Sequence, residues 1–127
     1  MQGWSIVGDL PGVTRRPFMT WGRDARTFVV VVEPAPASLL TDRGLARLAA
    51  MANAPRVVAV ENKVREPGDA GRVALSTGLP VVGSVPWDDA MRSAARPGRS
   101  VLDHDADAPA VAALRSLVDA LREKESP

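Results

Sequence analysis

The chain has 127 residues, of which 46% are hydrophobic and 24% charged, a composition typical of one globular domain. Sixteen lysines and arginines balance fifteen aspartates and glutamates, so no basic field is available for nucleic acid or acidic lipid. The absence of cysteine excludes disulfides, thiolate metal sites and cysteine nucleophiles, and a single histidine leaves little for imidazole catalysis.

The sequence gives no sign of membrane insertion or export. No apolar run is longer than Phe28–Val32, whereas a membrane-spanning helix needs about 20 apolar residues. Residues 1–9 lack the basic flank, long apolar stretch and small-residue cleavage pattern of a secretory signal. The last helical pattern is amphipathic, but its polar face mixes both charges and does not favour anionic lipid. We therefore expect a cytoplasmic protein that binds neither membrane nor nucleic acid.

Short apolar runs alternate with helical patterns along the chain. Four apolar runs predict strands, and they are Trp4–Gly8, Phe28–Val32, Val57–Val60 and Val81–Val85. Helical spacing predicts helices starting at Leu39, over Pro67–Thr77 with a glycine cap at Gly78, from Trp87 to about Arg96, and over Asp107–Lys124. Because each strand is continuously apolar, the sequence predicts an α/β domain over residues 1–127, with a mostly parallel sheet of about four strands flanked by helices.

Polar or turn-forming residues follow each predicted strand, where parallel α/β sheets bind ligands. These segments are Asp9-Leu10-Pro11-Gly12, Glu33-Pro34, Glu61-Asn62-Lys63 and Pro86-Trp87-Asp88. Together with Gly78-Leu79-Pro80-Val81-Val82-Gly83, their order and spacing resemble the C-terminal half of the MinD/ParA-type deviant Walker ATPases, nearest the branch that matures carbon monoxide dehydrogenase. The resemblance covers nearly the whole chain and implies an incomplete P-loop NTPase fold of Rossmann-like type.

The resemblance implies ATP and Mg²⁺ as ligands. By position, Asp9 corresponds to the Walker B acid that holds the water shell of Mg²⁺, because a carboxylate at a strand end suits a cation that keeps its waters. Gly12 corresponds to the glycine whose backbone amide senses the terminal phosphate. The residues alone also allow a plain strand-ending turn over this segment.

The resemblance also implies a base-binding region. Asn62 corresponds to the asparagine whose amide offers a donor and an acceptor to the adenine edge. Pro86, Trp87 and Asp88 correspond to the segment that borders the base. The residues alone leave two alternatives open, because Asn62 can satisfy loop backbone and Trp87 can pack over the sheet edge.

The sequence departs from this family at the phosphate-binding groups. It contains no glycine-rich loop with lysine and Ser/Thr, and the family's dimer-crossing lysine, catalytic carboxylate and metal-binding cysteine pair have no counterpart. Since such groups neutralise the charge on a transferring phosphoryl group, we expect no catalytic residue and no ATP hydrolysis by this chain alone.

Two functions follow from this departure. The first is the Walker B and base-binding half of an ATPase, completed by a separate P-loop-bearing chain or by homo-oligomer formation. The second is a non-catalytic interaction or regulatory protein derived from the family. In the family the phosphate-loop strand lies between the first and second predicted strands, so we expect Trp4–Gly8 to pair with the second strand, to pair with another chain, or to detach.

Overall fold

The described residues form an α/β unit built on a parallel sheet. The computed structural model describes residues 4–10, 24–51 and 55–123. Its elements are β1 (Thr27–Val32), α1 (Pro36–Met51), β2 (Arg56–Val64), α2 (Asp69–Thr77), β3 (Val81–Pro86), α3 (Asp89–Ala95), α4 (Val101–His104) and α5 (Pro109–Glu123). In this part of the chain three strands form one sheet in the order β1-β2-β3, with parallel pairing throughout. The predicted α/β class and parallel sheet are confirmed.

The expected strand at Trp4–Gly8 is not formed. Residues 4–10 adopt neither helix nor strand, and Trp4, Ile6 and Val7 are almost fully exposed. Only Leu10, at the end of this segment, packs against the core. Of the three outcomes expected for this segment, the described residues show detachment, since residues 4–10 do not pair with any strand of the described sheet.

Element boundaries differ from the sequence predictions most at two places, and the short helix α4 was not predicted. The strand expected to end at Val60 continues to Val64 as β2, so that Glu61, Asn62 and Lys63 belong to it, with irregular pairing to β3. The helix expected from Leu39 begins at Pro36. Proline suits a first helical turn because its missing N–H would have no partner there.

The two faces of the sheet are covered by different helices. On one face, Phe28, Val30 and Val32 of β1 pack with Ala59 of β2 and Val73 of α2. On the other face, α5 packs on β3, and its buried core contains Val60, Val85 and Ala110. A Cβ added at Gly83 of β3 would lie 2.9 Å from Leu117 Cδ1, so glycine allows α5 to approach the sheet closely.

The α5 face of β1 is left bare. Val29 and Val31 point away from the first core and are 38% and 58% exposed. Strands of parallel sheets are normally covered on both faces, and β1 is also an edge strand of the described sheet. The described unit therefore presents an apolar, half-covered edge strand to its surroundings.

The helix ends follow local chemistry. Gly78 has a left-handed φ of 70° and its N–H donates to Ala74 O at 2.9 Å, which confirms the predicted glycine cap of α2. The closing helix begins at Pro109 and the structure describes it to Glu123. No helix in the described ranges combines the length and apolar character of a membrane span.

Candidate functional site

A cleft of about 290 Å³ lies at the carboxyl ends of the three strands. Its lining comes from the residues that follow β1 and β2, from the first turn of α2, and from the end of β3. The lining residues are Glu33, Pro34, Ala35, Lys63, Arg65, Glu66, Asp69, Arg72 and Trp87. This edge is where loops and helix ends of a parallel sheet converge, so it is the expected position for a ligand site.

Lys63 joins the ends of β1 and β2 across the cleft. It has a left-handed φ of 56°, an uncommon conformation for a residue with a Cβ, at the point where β2 pairs irregularly with β3. Its Nζ lies 2.5 Å from Glu33 Oε1. Both side chains are about half exposed, so this ion pair positions the two loops more than it stabilises the fold.

Asn62 lies next to the cleft. Its Oδ1 accepts a hydrogen bond from the Lys63 backbone N–H at 3.0 Å, and the residue is half-buried. This contact supports the turn that places Lys63, as expected for asparagine bound to loop backbone. The side-chain amide of Asn62 donates no hydrogen bond to any described residue.

Trp87 forms the other end of the cleft. Its backbone N–H donates to Val64 O at 2.9 Å, which ties the end of β3 to the end of β2. The residue is 37% exposed, and the guanidinium groups of Arg65 and Arg92 lie 3.9 Å and 5.5 Å from the centroid of its ring. A cation at the shorter distance over an indole face is attracted by about 0.5–1 kcal/mol when exposed.

Asp88 is held by two helix N-termini. Its Oδ1 accepts from Ala90 N–H of α3 at 2.9 Å and its Oδ2 accepts from Ala110 N–H of α5 at 3.0 Å. These bonds, that from Ala110 first and that from Ala90 second, lower the pKa of Asp88 below its ordinary value. Asp88 therefore fixes the loop after Trp87 to the helical layer.

Two acidic side chains are buried beneath the α2 wall of the cleft. Asp69, the first residue of α2, accepts from Glu66 N–H at 3.2 Å and is paired with Arg72. Glu61 of β2 accepts a hydrogen bond from the Ser84 hydroxyl. Burial, and then the charge of Asp69, raise the pKa of Glu61 above its ordinary value.

The structure brings some of the sequence-predicted residues together. Trp87 lines the cleft. Asn62, Pro86 and Asp88 are not part of the lining, although each is adjacent in sequence to a lining residue, Lys63 or Trp87. Asp9 is exposed on the 4–10 segment and is not part of the lining. Gly12 lies outside the described residues.

Sequence reasoning missed the charged residues that dominate the cleft. Glu33 and Lys63 carried a usable signal, since both follow predicted strands. The stack of Arg65 on Trp87 depends on the pairing of Val64 with Pro86, which no local pattern shows. Within the described residues, no group of three or more histidine or acidic side chains is placed to hold a metal ion.

Two solved structures share this arrangement of sheet and helices. The MinD cell division protein of Aquifex aeolicus superposes with a TM-score of 0.68 at 16% identity, over 83% of this chain and 47% of that one. A ParA family ATPase from Chlorobium tepidum TLS superposes with a TM-score of 0.62 at 22% identity, over 76% of this chain and 40% of that one. The fold is that of the MinD and ParA ATPases.

The likeness to these two structures is one of fold. The chain spans less than half the length of either of them. No protein-family model matches the sequence. No curated protein matches it either.

Proposed function

We propose that this chain, a single domain over residues 1–127, is the Walker B and base-binding half of a MinD/ParA-like ATPase in the cytoplasm. The observation that supports this proposal best is the cleft at the carboxyl ends of three parallel strands, with Trp87 in its lining and Asn62 beside it. In sheets of this type nucleotides bind at that edge. The joint order and spacing of the strand-end segments and of Gly78–Gly83 support the carbon monoxide dehydrogenase maturation branch as the nearest relatives.

The base of a nucleotide fits the cleft through polar and aromatic contacts. The Asn62 amide, which donates to no described residue, supplies a hydrogen-bond donor for the adenine edge. The half-exposed ring of Trp87 supplies a stacking surface, on which Arg65 now lies at 3.9 Å. Pro86 and Asp88 hold the loop that carries this ring.

The triphosphate fits the described residues less well than the base. Three cations of the lining, Lys63, Arg65 and Arg72, are matched by three acids, Glu33, Glu66 and Asp69. Lys63 and Arg72 are already engaged in ion pairs with those acids. The cleft therefore offers no surplus of positive charge to a polyanion.

Magnesium has one candidate ligand in this proposal. Asp9 supplies a single exposed carboxylate, which suits a cation that keeps most of its waters but does not by itself build a site. The donor set of the described residues does not fit a magnesium triphosphate. We therefore propose that the triphosphate and Mg²⁺ are held only after another polypeptide supplies a phosphate loop, and that this chain alone does not hydrolyse ATP.

The edge strand β1 is the proposed place of that partner. Val29 and Val31 form an exposed apolar strip on a strand whose opposite face is buried. A parallel strand added to β1, with a helix over these two valines, would complete the sheet in the way that parallel sheets are normally covered. A second copy of this chain is the alternative occupant.

Light scattering on the chain alone distinguishes a separate P-loop-bearing chain from a second copy as the partner that covers β1. Replacing Val31 with lysine places a charge on the bare strip. If the wild type is a dimer and the Val31→Lys variant is a monomer, a second copy of the chain is the partner that covers β1. A wild type that stays monomeric over a wide concentration range favours a separate P-loop-bearing chain.

Base binding is tested by titrating the ¹⁵N-labelled chain with adenosine. We expect amide shifts at residues 62–65 and at Trp87, with affinity reduced about fivefold in Asn62→Ala because one hydrogen bond is worth about 1 kcal/mol. Asp89→Asn, which changes an exposed residue outside the cleft lining, should bind as the wild type does. Shifts that are unaffected by Asn62→Ala would contradict the base-binding role.

The second candidate function is a non-catalytic interaction or regulatory protein. It is favoured by the exposed strip on β1 and by the internal hydrogen bonds of Asn62 and Asp88, which give both residues a structural use. Absence of any shift with adenosine, together with unaltered folding of Asn62→Ala, would support this function over the first.

A further inference from the structure

Glu61 is an acidic residue that is buried in the middle strand, β2. Its side chain is 1% exposed, and its backbone pairs in register with Val32 of β1 and Ser84 of β3. The Ser84 hydroxyl donates to Oε1, whereas Oε2 has no hydrogen-bond partner among the described residues. A buried carboxylate with one neutral donor is poorly compensated for lost hydration, so the neutral form is favoured.

The other buried acid among the described residues, Asp69, has the opposite surroundings. Asp69 is also buried, but its carboxylate accepts the Glu66 N–H and is paired with Arg72. Glu61 Oε2 has no such partner among the described residues, so burial favours the neutral form of Glu61. The raised pKa of Glu61, caused by burial and then by Asp69, agrees with this assignment.

The first turn of α2 connects this pair to the cleft. Glu66, Asp69 and Arg72 form one wall of the cleft. The same helix is anchored to the sheet by Val73, which packs on Ala59 of β2. A change of charge at Glu61 therefore acts on a helix turn that is also a wall of the site.

We propose that Glu61 is a proton-controlled latch on the cleft. In its neutral form Glu61 lets the first turn of α2 pack against the sheet. Loss of its proton places two negative charges together and pushes Asp69, with that turn, away from β2. The inference goes beyond the proposed function and holds whether or not a nucleotide binds, because the latch belongs to the free chain.

The charged groups around Glu61 come from few elements. From α2 it meets Asp69 with its partner Arg72, from β3 the uncharged Ser84, and from β1 the apolar Val32. Glu33, which follows Val32, is paired with Lys63. On α1 the described charged side chains are Arg43 and Arg47, both exposed. Asp69 is thus the carboxylate that responds to ionisation of Glu61.

The direction of the pH effect follows from the raised pKa. Below the ordinary value of 4.5 the folded and unfolded chains both hold the proton, and the stabilisation is complete. As the pH rises above that value the unfolded chain releases its proton first, so stability falls until the folded carboxyl also titrates. Glu61→Gln keeps the shape without the charge and should remove this slope.

Hydrogen exchange of Arg72 and Val73, together with carboxyl ¹³C NMR of Glu61, tests the latch. In the wild type, protection of these amides should fall with rising pH, after correction for intrinsic exchange, by up to about tenfold per pH unit as Glu61 titrates. Glu61→Gln should abolish this excess fall. The matched control Glu66→Gln, an exposed acid on the same wall, should keep it. Equal slopes in wild type and Glu61→Gln, or a Glu61 midpoint at or below 4.5, would overturn the proposal.

A second variant keeps the test decisive if Glu61→Gln does not fold. Ser84→Ala removes the hydroxyl that donates to Glu61 Oε1 and so disfavours the carboxylate. We expect the Glu61 midpoint, and the pH at which Arg72 and Val73 lose protection, to move upward together. A shift of the midpoint with unchanged protection would show that the charge of Glu61 does not reach α2.

Discussion

At the scale of single residues, the loop after β3 depends on one carboxylate. Asp88 accepts from the first turns of α3 and α5, which are distant in sequence, and so joins two helices to the end of the sheet. Helix N-termini leave backbone N–H groups without intrahelical partners, and an ionised aspartate accepts two of them at once. Trp87 owes its place at the cleft to this neighbour.

The predicted effect of Asp88→Asn is a lower melting temperature near neutral pH. The asparagine oxygen can still accept one N–H, but its NH₂ group then faces the other donor. Because the pKa of Asp88 is lowered in the folded chain, the stabilisation is present above the ordinary value of 3.8 and is lost as the pH falls through the folded pKa. The difference between the two proteins should therefore disappear in strong acid.

Thermal unfolding followed by circular dichroism across this pH range is the measurement. Asp89→Asn is the matched control, because it removes the same charge from an exposed neighbour in the first turn of α3. If both variants lower the melting temperature equally, the capping role of Asp88 is wrong.

At the scale of elements, glycine acts in opposite ways at two positions of α2. Gly78, just after the helix, has a φ of 70°, which disfavours any residue with a Cβ. Gly71 lies within the helix, and a Cβ added there would meet no atom within 4 Å. One substitution, glycine to alanine, therefore has different consequences at the two sites.

We expect Gly78→Ala to lower the free energy of unfolding by about 1 kcal/mol, because alanine must adopt a left-handed conformation. Gly71→Ala should raise it by about 0.5–1 kcal/mol, because alanine loses less conformational freedom in a helix. Urea denaturation gives both values. A loss of stability in Gly71→Ala would show that α2 is more closely packed at this position than its exposure indicates.

The sequence predicted elements best where a local pattern was sufficient. The continuous apolar runs predicted β1, β2 and β3, and Gly78 predicted the end of α2. The pattern at Trp4–Gly8 also predicts a strand, yet the segment does not pair with the free edge of β1. Local pattern specifies the tendency to form a strand, and pairing decides whether it forms.

The candidate site was less predictable than the fold. Strand ends pointed to Asn62 and Trp87, because the position of a ligand edge follows from sheet direction alone. The burial of Glu61 follows from the extension of β2 beyond Val60 and from Ser84 opposite it, both of which depend on strand register. The wall formed by Asp69 and Arg72 depends on how α2 packs, which the weak helical pattern of that segment did not reveal.

At the scale of the whole molecule, the described unit is a MinD/ParA-like fold with a bare edge. Only one face of β1 is buried, and the cleft is lined by equal numbers of basic and acidic side chains. Both features agree with a unit that meets the base of a nucleotide itself and relies on another polypeptide for the phosphates. We therefore propose that this chain binds the base and that another polypeptide binds the phosphates.

Comparing adenosine with ATP and Mg²⁺ on the chain alone tests this claim most directly. Parallel ¹⁵N titrations should move the same amides, at residues 62–65 and Trp87, with affinities that agree within about threefold, because the phosphates add no contact. Phosphate release measured on the same samples should not exceed that of ATP in buffer. Magnesium-dependent ATP binding about a hundredfold tighter than that of adenosine, a difference of about 2.7 kcal/mol, or steady turnover by the chain alone, would contradict the account.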